Sequence, residues 1–159
     1  ISFTLLTILS AKIKMFLPFT PVPVTFQVLA TLLAGVALGP WLGGLSQVLY
    51  LTLGFSGLPV WASGGGLAYI LGPTGGYILA FPVAAFCVAS LLKHSDKALQ
   101  KILSLFAGLF IIYLLGGLWL ANYLHLSLTT ALKLGVLPFI LIDIVKILLI
   151  IPVALKLKR

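Results

Sequence analysis

The chain has 159 residues, of which 62% are hydrophobic and 8% are charged, and its mean hydropathy is +1.27. An average soluble domain carries about 25% charged residues, so this composition excludes a soluble protein and indicates an integral membrane protein. Ten Lys and Arg against two acids give a net charge of +8, but the cations lie at the ends of apolar runs, which argues against nucleic-acid binding.

The length suits five or six membrane spans of about 20 residues each. We predict six, in a single integral membrane domain over residues 1–159 that binds a substrate. Because the sequence opens inside an apolar run at Ile1, without the features of a signal peptide, we expect a few natural residues to precede it.

The distribution of cations predicts the orientation of the six spans. Under the positive-inside rule, both termini lie in the cytoplasm, since that side then holds six cations against three. The six are Lys93, Lys97, Lys101, Lys156, Lys158 and Arg159, and the three are Lys12, Lys14 and Lys133.

Span 1 covers residues 1–17 and carries the small side chains Thr4, Thr7, Ser10 and Ala11. Small side chains allow another helix to approach closely in a bilayer. This face therefore either docks on a partner or packs inside the chain, and the sequence leaves both open.

A stiff, extended loop follows at residues 16–27, because three prolines within six residues cannot be helical. Thr25 is well placed to cap the start of span 2, residues 24–38. Gln27 requires a hydrogen-bond partner, since an unpaired amide is costly in an apolar environment.

Spans 3 and 4 cover residues 41–54 and 74–92, with Pro40 in the first turn of span 3 and Pro82 as an expected kink. The segment between them, residues 54–72, is too rich in Gly for a lipid-facing helix and too apolar for a solvated linker. Irregular backbone at membrane depth occurs only where it is buried in protein or lines a cavity.

This Gly-rich segment is therefore predicted to cap or wall a ligand pocket, with a purely structural re-entrant loop as the alternative. Its glycines, including Gly65, allow close approach of backbone to a ligand. Its other candidate contacts are the aromatic side chains of Trp61 and Tyr69 and the hydroxyl of Ser63.

Span 5, residues 102–124, carries no charge, whereas span 6, residues 136–155, contains Asp143 and Lys146. A spacing of three puts both side chains on one face of a helix. Each isolated charge costs about 2.5–3.5 kcal/mol on insertion scales, so such residues face a cavity or a partner. We interpret the pair as the polar floor of a site, with a structural ion pair as the alternative.

The sequence lacks the motifs of several enzyme classes. The glycine clusters lack the Gly-Lys-Ser/Thr ending of a phosphate-binding loop, and the few His, Cys and acids form no metal cluster. Only one acid lies within a span, which excludes a paired-Asp protease. We predict no enzyme, no metal and no cofactor, and therefore a protein that binds passively or uses the motor of another subunit.

Three motifs and the Asp143-x-x-Lys146 pair follow one another in an order that resembles BioY, the biotin-binding S component of energy-coupling-factor (ECF) transporters. The motifs are Pro21-Val-Pro-Val-Thr-Phe-Gln27, Gly57-Leu-Pro-Val-Trp-Ala62 and Gly72-Pro-Thr-Gly-Gly-Tyr77. The resemblance covers residues 3–158. Their combination is specific, although each motif alone is not.

The resemblance implies an all-α protein with six transmembrane helices and a Gly-rich substrate-capping loop between helices 3 and 4. Such a protein captures biotin at the plasma membrane of a prokaryote. It works with a transmembrane coupling protein and two ABC-type ATPases, which use the ATP. Family members dock on the coupling protein through an Ala-x-x-x-Ala arrangement in span 1, where this sequence has Thr7-x-x-x-Ala11.

Biotin suits the predicted site, because Asp143 can accept the ureido N–H groups and Lys146 can donate to the ureido carbonyl. The expected aromatic walls are Trp61, Tyr69 and Tyr77. The carboxylate of biotin would lie toward the mouth, near Thr25 and Gln27 or the exposed N–H groups of a helix start. The opposite orientation, with Lys146 on the carboxylate, stays open.

Two other functions remain open at the level of sequence. One is a self-sufficient secondary carrier of a small vitamin-like solute, in which Asp143 carries a coupling proton. The other is a purely structural membrane subunit that binds no vitamin.

Overall fold

The computed structural model describes residues 1–93 and 97–157, and most of them are helical. Lys158 and Arg159, two of the six cations on the predicted cytoplasmic side, lie outside the described residues, as do residues 94–96. In chain order the elements are α1 (Ser2–Lys12), β1 (Lys14–Met15), β2 (Val24–Thr25), α2 (Gln27–Leu38), α3 (Pro40–Phe55), α4 (Leu67–Ile70), α5 (Gly75–Leu79), α6 (Phe81–Leu92), α7 (Ala98–Tyr123), α8 (Leu128–Gly135), a 3-10 turn (Leu137–Phe139) and α9 (Ile140–Lys156).

Three apolar helical segments of the described chain are long enough to cross a membrane: Gly75–Leu92, Ala98–Tyr123 and Leu128–Lys156. They match predicted spans 4, 5 and 6, and the prediction of a mostly helical membrane protein is confirmed. In contrast, α1 and α2 contain 11 and 12 residues, or about 18 Å of helix, against a hydrocarbon core of about 30 Å. The helices of the N-terminal third are thus shorter than full spans.

Gly and Pro set the helix boundaries as their chemistry requires. Gly39 ends α2 with a φ of 85°, a conformation that favours glycine, and Pro40 then begins α3 as predicted. Pro82 lies in the first turn of α6, directly after the break at Ala80 that separates α5 from α6. The expected kink is therefore a helix boundary.

Thr25 does not cap α2 as predicted. It lies in β2, which pairs antiparallel with β1 so that Thr25 is opposite Lys14. Phe26 occupies the N-cap position instead. The Thr25 hydroxyl still accepts a hydrogen bond from the Gln27 N–H at 3.3 Å, so it orders the helix start from outside the cap.

Helix α6 lies at the centre of the bundle and packs against α2, α3 and α7. Small residues permit these close approaches, as expected for helix packing in a membrane. A Cβ on Gly35 of α2 would lie 2.5 Å from the Ala85 carbonyl oxygen, whereas one on Gly44 of α3 would meet Phe86 at an ordinary 3.5 Å.

The small residues of α1 face the interior of the chain. Thr7 and Ala11 are fully buried where α1 packs on α2 and α3. The Thr7 hydroxyl accepts a hydrogen bond from the Gln47 side-chain amide at 3.2 Å, because a hydroxyl in an apolar environment needs a partner. The internal packing that the sequence left open is what the structure contains, and docking through these two side chains stays a prediction that requires α1 to move from α3.

Two lysines hold the irregular part of the Gly-rich segment against the end of α1. The Lys12 ammonium donates to the carbonyl oxygens of Pro59 and of Trp61, the latter at 2.8 Å. The Lys14 ammonium donates to the Ala62 carbonyl at 2.5 Å. Charge-assisted hydrogen bonds of this kind are about twice as strong as neutral ones, so they order a segment that has little regular structure.

The contrast between Gly35 and Gly44 gives a matched test of helix packing. We expect Gly35→Ala to lower the free energy of unfolding by about 1–3 kcal/mol, since the added methyl group meets backbone that cannot move away. Gly44→Ala should be nearly neutral. Thermal unfolding of the purified variants in detergent measures both, and equal melting temperatures for the two would contradict the packing described.

The lysine contacts predict how the Gly-rich segment is ordered. Replacing Lys12 and Lys14 together by Met should increase amide hydrogen exchange over residues 57–66 by about tenfold or more, because hydrogen bonds to charged groups contribute about 1.5–3 kcal/mol each. Lys133→Met, at an exposed position of α8, is the control and should leave that exchange unchanged. Equal exchange in all three proteins would show that the lysines do not hold the segment.

Candidate ligand-binding site

A cavity with about 540 Å³ of empty space, including the part open at its mouth, lies among α2, α5, α7 and α9. The polar residues that line it are Thr25, Gln27, Tyr69, Thr74, Tyr77, Tyr113, Asp143 and Lys146. Aliphatic and aromatic side chains, among them Val24, Ile78, Phe81, Ile112 and Phe139, form the rest of its wall.

Asp143 and Lys146 form a buried ion pair at this cavity. They lie one turn apart on α9, and the Lys146 Nζ is 2.6 Å from the Asp143 Oδ1. Their exposed fractions are 3% and 4%, so most of their hydration is lost on folding. A buried charge of this kind is tolerated only when it is paired and hydrogen-bonded. The shared face that the spacing predicted is confirmed.

Two further groups complete the hydrogen bonding of the pair. The Tyr113 hydroxyl, from α7, donates to the Asp143 Oδ2 at 2.6 Å, and the Lys146 ammonium donates to the Thr25 carbonyl oxygen at 2.6 Å. Both carboxylate oxygens of Asp143 therefore have a donor. The pair connects α9 to α7 and to β2.

Sequence reasoning missed Tyr113, although one signal was available. Tyrosines of membrane helices are enriched at the water interfaces, whereas Tyr113 lies near the middle of the 26-residue helix α7. A hydroxyl at that depth needs a hydrogen-bond partner, and Asp143 is one of the few strong acceptors in the chain.

Gln27 has the partners that its burial demands. Its side-chain amide donates to the Tyr50 hydroxyl at 2.5 Å, and its carbonyl oxygen accepts from the Thr25 hydroxyl at 3.0 Å. Tyr50, which is fully buried, was not predicted. Gln27 and Thr25 thus contribute a hydrogen-bonded wall whose groups are already engaged within the protein.

Two of the three predicted aromatic residues line the cavity. Tyr77 does so while donating its hydroxyl to the Gly135 carbonyl at 2.8 Å, and Tyr69 lines both the cavity and a neighbouring surface cleft. Trp61 is fully buried and stacks behind Tyr69, with ring centroids 5.4 Å apart. The prediction of Trp61 as a wall therefore needs correction: it supports a wall residue. Its indole N–H has no hydrogen-bond partner among the described residues.

Ser63 and Gly65 lie away from the cavity lining. A Cβ on Gly65 would overlap the Leu58 carbonyl, so the close approach that this glycine allows is to the chain itself. Ser63 lines a neighbouring surface cleft that shares Tyr69 and Thr74 with the cavity. Of the irregular loop before α4, Ala62 is the residue that reaches the cavity.

The chemistry of the cavity is that of a hydrogen-bonding floor beneath aromatic and aliphatic walls. The described residues contain no group of three or more His, Cys, Asp and Glu that could hold a metal ion. Asp143 offers acceptor oxygens and Lys146 offers donor hydrogens. The site therefore suits a small, mainly apolar molecule with one edge that both donates and accepts hydrogen bonds.

Comparison with known proteins identifies relatives of this chain. The model of the BioY family matches residues 1–159. A probable biotin transporter BioY of Pyrococcus horikoshii is 48% identical over 145 residues, which cover 91% of this chain and 84% of the relative. A biotin transporter BioY of Thermotoga maritima is 37% identical over 158 residues, which cover 99% and 92%.

A solved structure has the same fold. The S-component for biotin from an ECF-type ABC transporter superimposes with a TM-score of 0.90 and 29% sequence identity, over 98% of this chain and 86% of that one. The curated relatives are named as transporters and not as enzymes. The match of the family model over the whole sequence, together with these relatives, shows that the chain belongs to the BioY family.

Proposed function

We propose that this chain binds biotin in the cavity above Asp143 and Lys146 and takes it up as the S component of an ECF-type transporter. The observation that carries the proposal is the buried ion pair at 2.6 Å, which lies on the lining of a cavity with aromatic and aliphatic walls. The relatives named as biotin transporters and the solved S-component for biotin support the choice of ligand.

The ureido ring of biotin fits the floor of the cavity. One of its two N–H groups donates to the Asp143 carboxylate, and its carbonyl oxygen accepts a hydrogen bond from the Lys146 ammonium. In the empty site the two residues satisfy each other, which limits the free-energy cost of their burial. Tyr69 and Tyr77 then pack against the apolar bicyclic ring, since aromatic rings provide large and rigid contact areas.

The contacts of Gln27 and Thr25 favour one orientation of the ligand. Gln27 is bonded to Tyr50 and to Thr25, and the Thr25 carbonyl already accepts from Lys146. Gln27 and Thr25 therefore form part of the wall beside the ion pair. The valerate tail extends toward the mouth of the cavity, past Tyr69. The surface cleft beyond it contains Ser63, which lies 3.4 Å from the Lys14 ammonium, so the biotin carboxylate meets a cation there.

The membrane arrangement belongs to the same proposal. Six spans cross the plasma membrane of a prokaryote, and the irregular segments next to α1, α2 and α3 extend these shorter helices. Both termini face the cytoplasm. A transmembrane coupling protein and two ABC-type ATPases supply the energy, and biotin is the substrate of the assembly.

The ion pair gives the first test of binding. Asp143→Asn and Lys146→Met should each weaken biotin binding about 10- to 100-fold or more, because a hydrogen bond to a charged group contributes about 1.5–3 kcal/mol. Isothermal titration of the purified protein in detergent measures the affinity. Lys133→Met is the control and should bind as the parent does.

A loss of folding must be separated from a loss of binding. Each single replacement leaves one charge buried without its partner, which can cost about 3–5 kcal/mol of stability. The double variant Asp143→Leu with Lys146→Met removes both charges and should fold, yet should not bind biotin. If this double variant binds as tightly as the parent, the assigned site is wrong.

The energy source gives a second test. In proteoliposomes that contain the chain with an ECF coupling protein and its two ATPases, biotin uptake should require ATP hydrolysis. The chain alone, under a pH gradient, should accumulate no biotin above the bound amount. Uptake by the chain alone would instead support a proton-coupled secondary carrier.

A further inference from the structure

Tyr113 contacts the ion pair from a different helix. Its hydroxyl lies 2.6 Å from the Asp143 Oδ2, and its side chain lines the cavity. A distance of about 2.5–2.7 Å is typical of a hydroxyl that donates to an ionised carboxylate. The contact therefore joins a neutral donor to the charged acceptor at the floor.

The consequence for Asp143 is a carboxylate that is fixed at both oxygens. Lys146 binds Oδ1 at 2.6 Å and Tyr113 binds Oδ2. An ionised carboxylate has about four lone-pair positions, so each oxygen keeps a position for a further donor. A carboxylate that is held at both ends cannot rotate about χ2 to reach another partner.

We propose that Tyr113 is a positioning residue that acts through Asp143 and makes the site selective for ligands whose buried edge donates N–H. The inference rests on the proposed binding of biotin at this floor. The Tyr113 hydroxyl is hydrogen-bonded to Asp143. At the floor of the cavity, a ligand therefore meets the acceptor oxygens of the carboxylate and not an unbonded phenol. A ligand edge that carries oxygen in place of N–H would put a lone pair against the carboxylate and would be rejected.

Tyr77 provides a matched comparison within the same cavity. Its hydroxyl also donates to a group on another helix, but the acceptor is the Gly135 carbonyl at 2.8 Å and not the ion pair. Removing either hydroxyl deletes one interhelical hydrogen bond beside the ligand. The two phenols therefore differ in their link to Asp143, which is the property to be tested.

The experiment is a double-mutant cycle of biotin affinity in purified protein. Tyr113→Phe should weaken binding about tenfold or more, because the Asp143 carboxylate loses the hydrogen bond that orients it toward the ligand. In an Asp143→Asn background, Tyr113→Phe should have little further effect, because coupled residues are not additive. Tyr77→Phe should change affinity by the same factor in both backgrounds. Equal effects of Tyr113→Phe in both backgrounds would overturn the inference.

A second measurement avoids variants whose binding is too weak to measure. The ratio of affinities for biotin and for its analogue with a ring oxygen in place of one ureido N–H is determined for the parent and for Tyr113→Phe. We expect the ratio to fall several-fold in the variant, because its carboxylate can reorient. An unchanged ratio is the result for a merely structural tyrosine and would overturn the inference.

These outcomes distinguish a failure of the proposed function from a failure of the proposed role of Tyr113. If the parent protein does not bind biotin, the proposed function itself is wrong. If the parent binds biotin while Tyr113→Phe retains the parent's discrimination, only the role of Tyr113 is wrong. Thermal unfolding checks that Tyr113→Phe is folded, and Tyr113→Met, which also lacks the hydroxyl, serves as a second variant with the same expected ratio.

Discussion

The burial of two opposite charges constrains much of this structure. Asp143 and Lys146 lie in a chain with few charged groups, and each needs more partners than the other can supply. Tyr113 on α7 and the Thr25 carbonyl in β2 supply them. The hydrogen bonds demanded at one turn of α9 thus connect it to α7 and to the β1–β2 ribbon beside the cavity.

The same requirement explains why the polar residues of the site form chains rather than pairs. Thr25 links the floor to Gln27, and Gln27 continues to the buried Tyr50. In a low-dielectric interior, a polar group without a hydrogen-bond partner is costly. Each residue of the network therefore bonds to a further residue. A ligand that binds here joins an existing network through the acceptor positions that its members still have free.

The sequence predicted well those features that depend on residues close to one another in the chain. The spacing of Asp143 and Lys146, the Gly39-Pro40 start of α3 and the demand of Gln27 for a partner follow from chemistry within a few residues. The features that the sequence left open or missed are contacts between distant segments. Thr7 and Ala11 were equally consistent with an outward or an inward face, and Trp61 with a position at the cavity or behind Tyr69. Tyr113 is 30 positions from its partner, and pairing across helices cannot be read from hydropathy.

Lys12 and Lys14 hold the Gly-rich segment mainly through main-chain carbonyl oxygens. Every residue type carries such a carbonyl, so the attachment does not depend on which side chains the segment displays. The side chains of the segment can therefore diverge between homologues while the segment keeps its anchorage. Changes in the length of the segment are more restricted, because they would move the carbonyl oxygens out of reach of Lys12 and Lys14. The sequence of the segment can then change while its main chain stays attached to the end of α1.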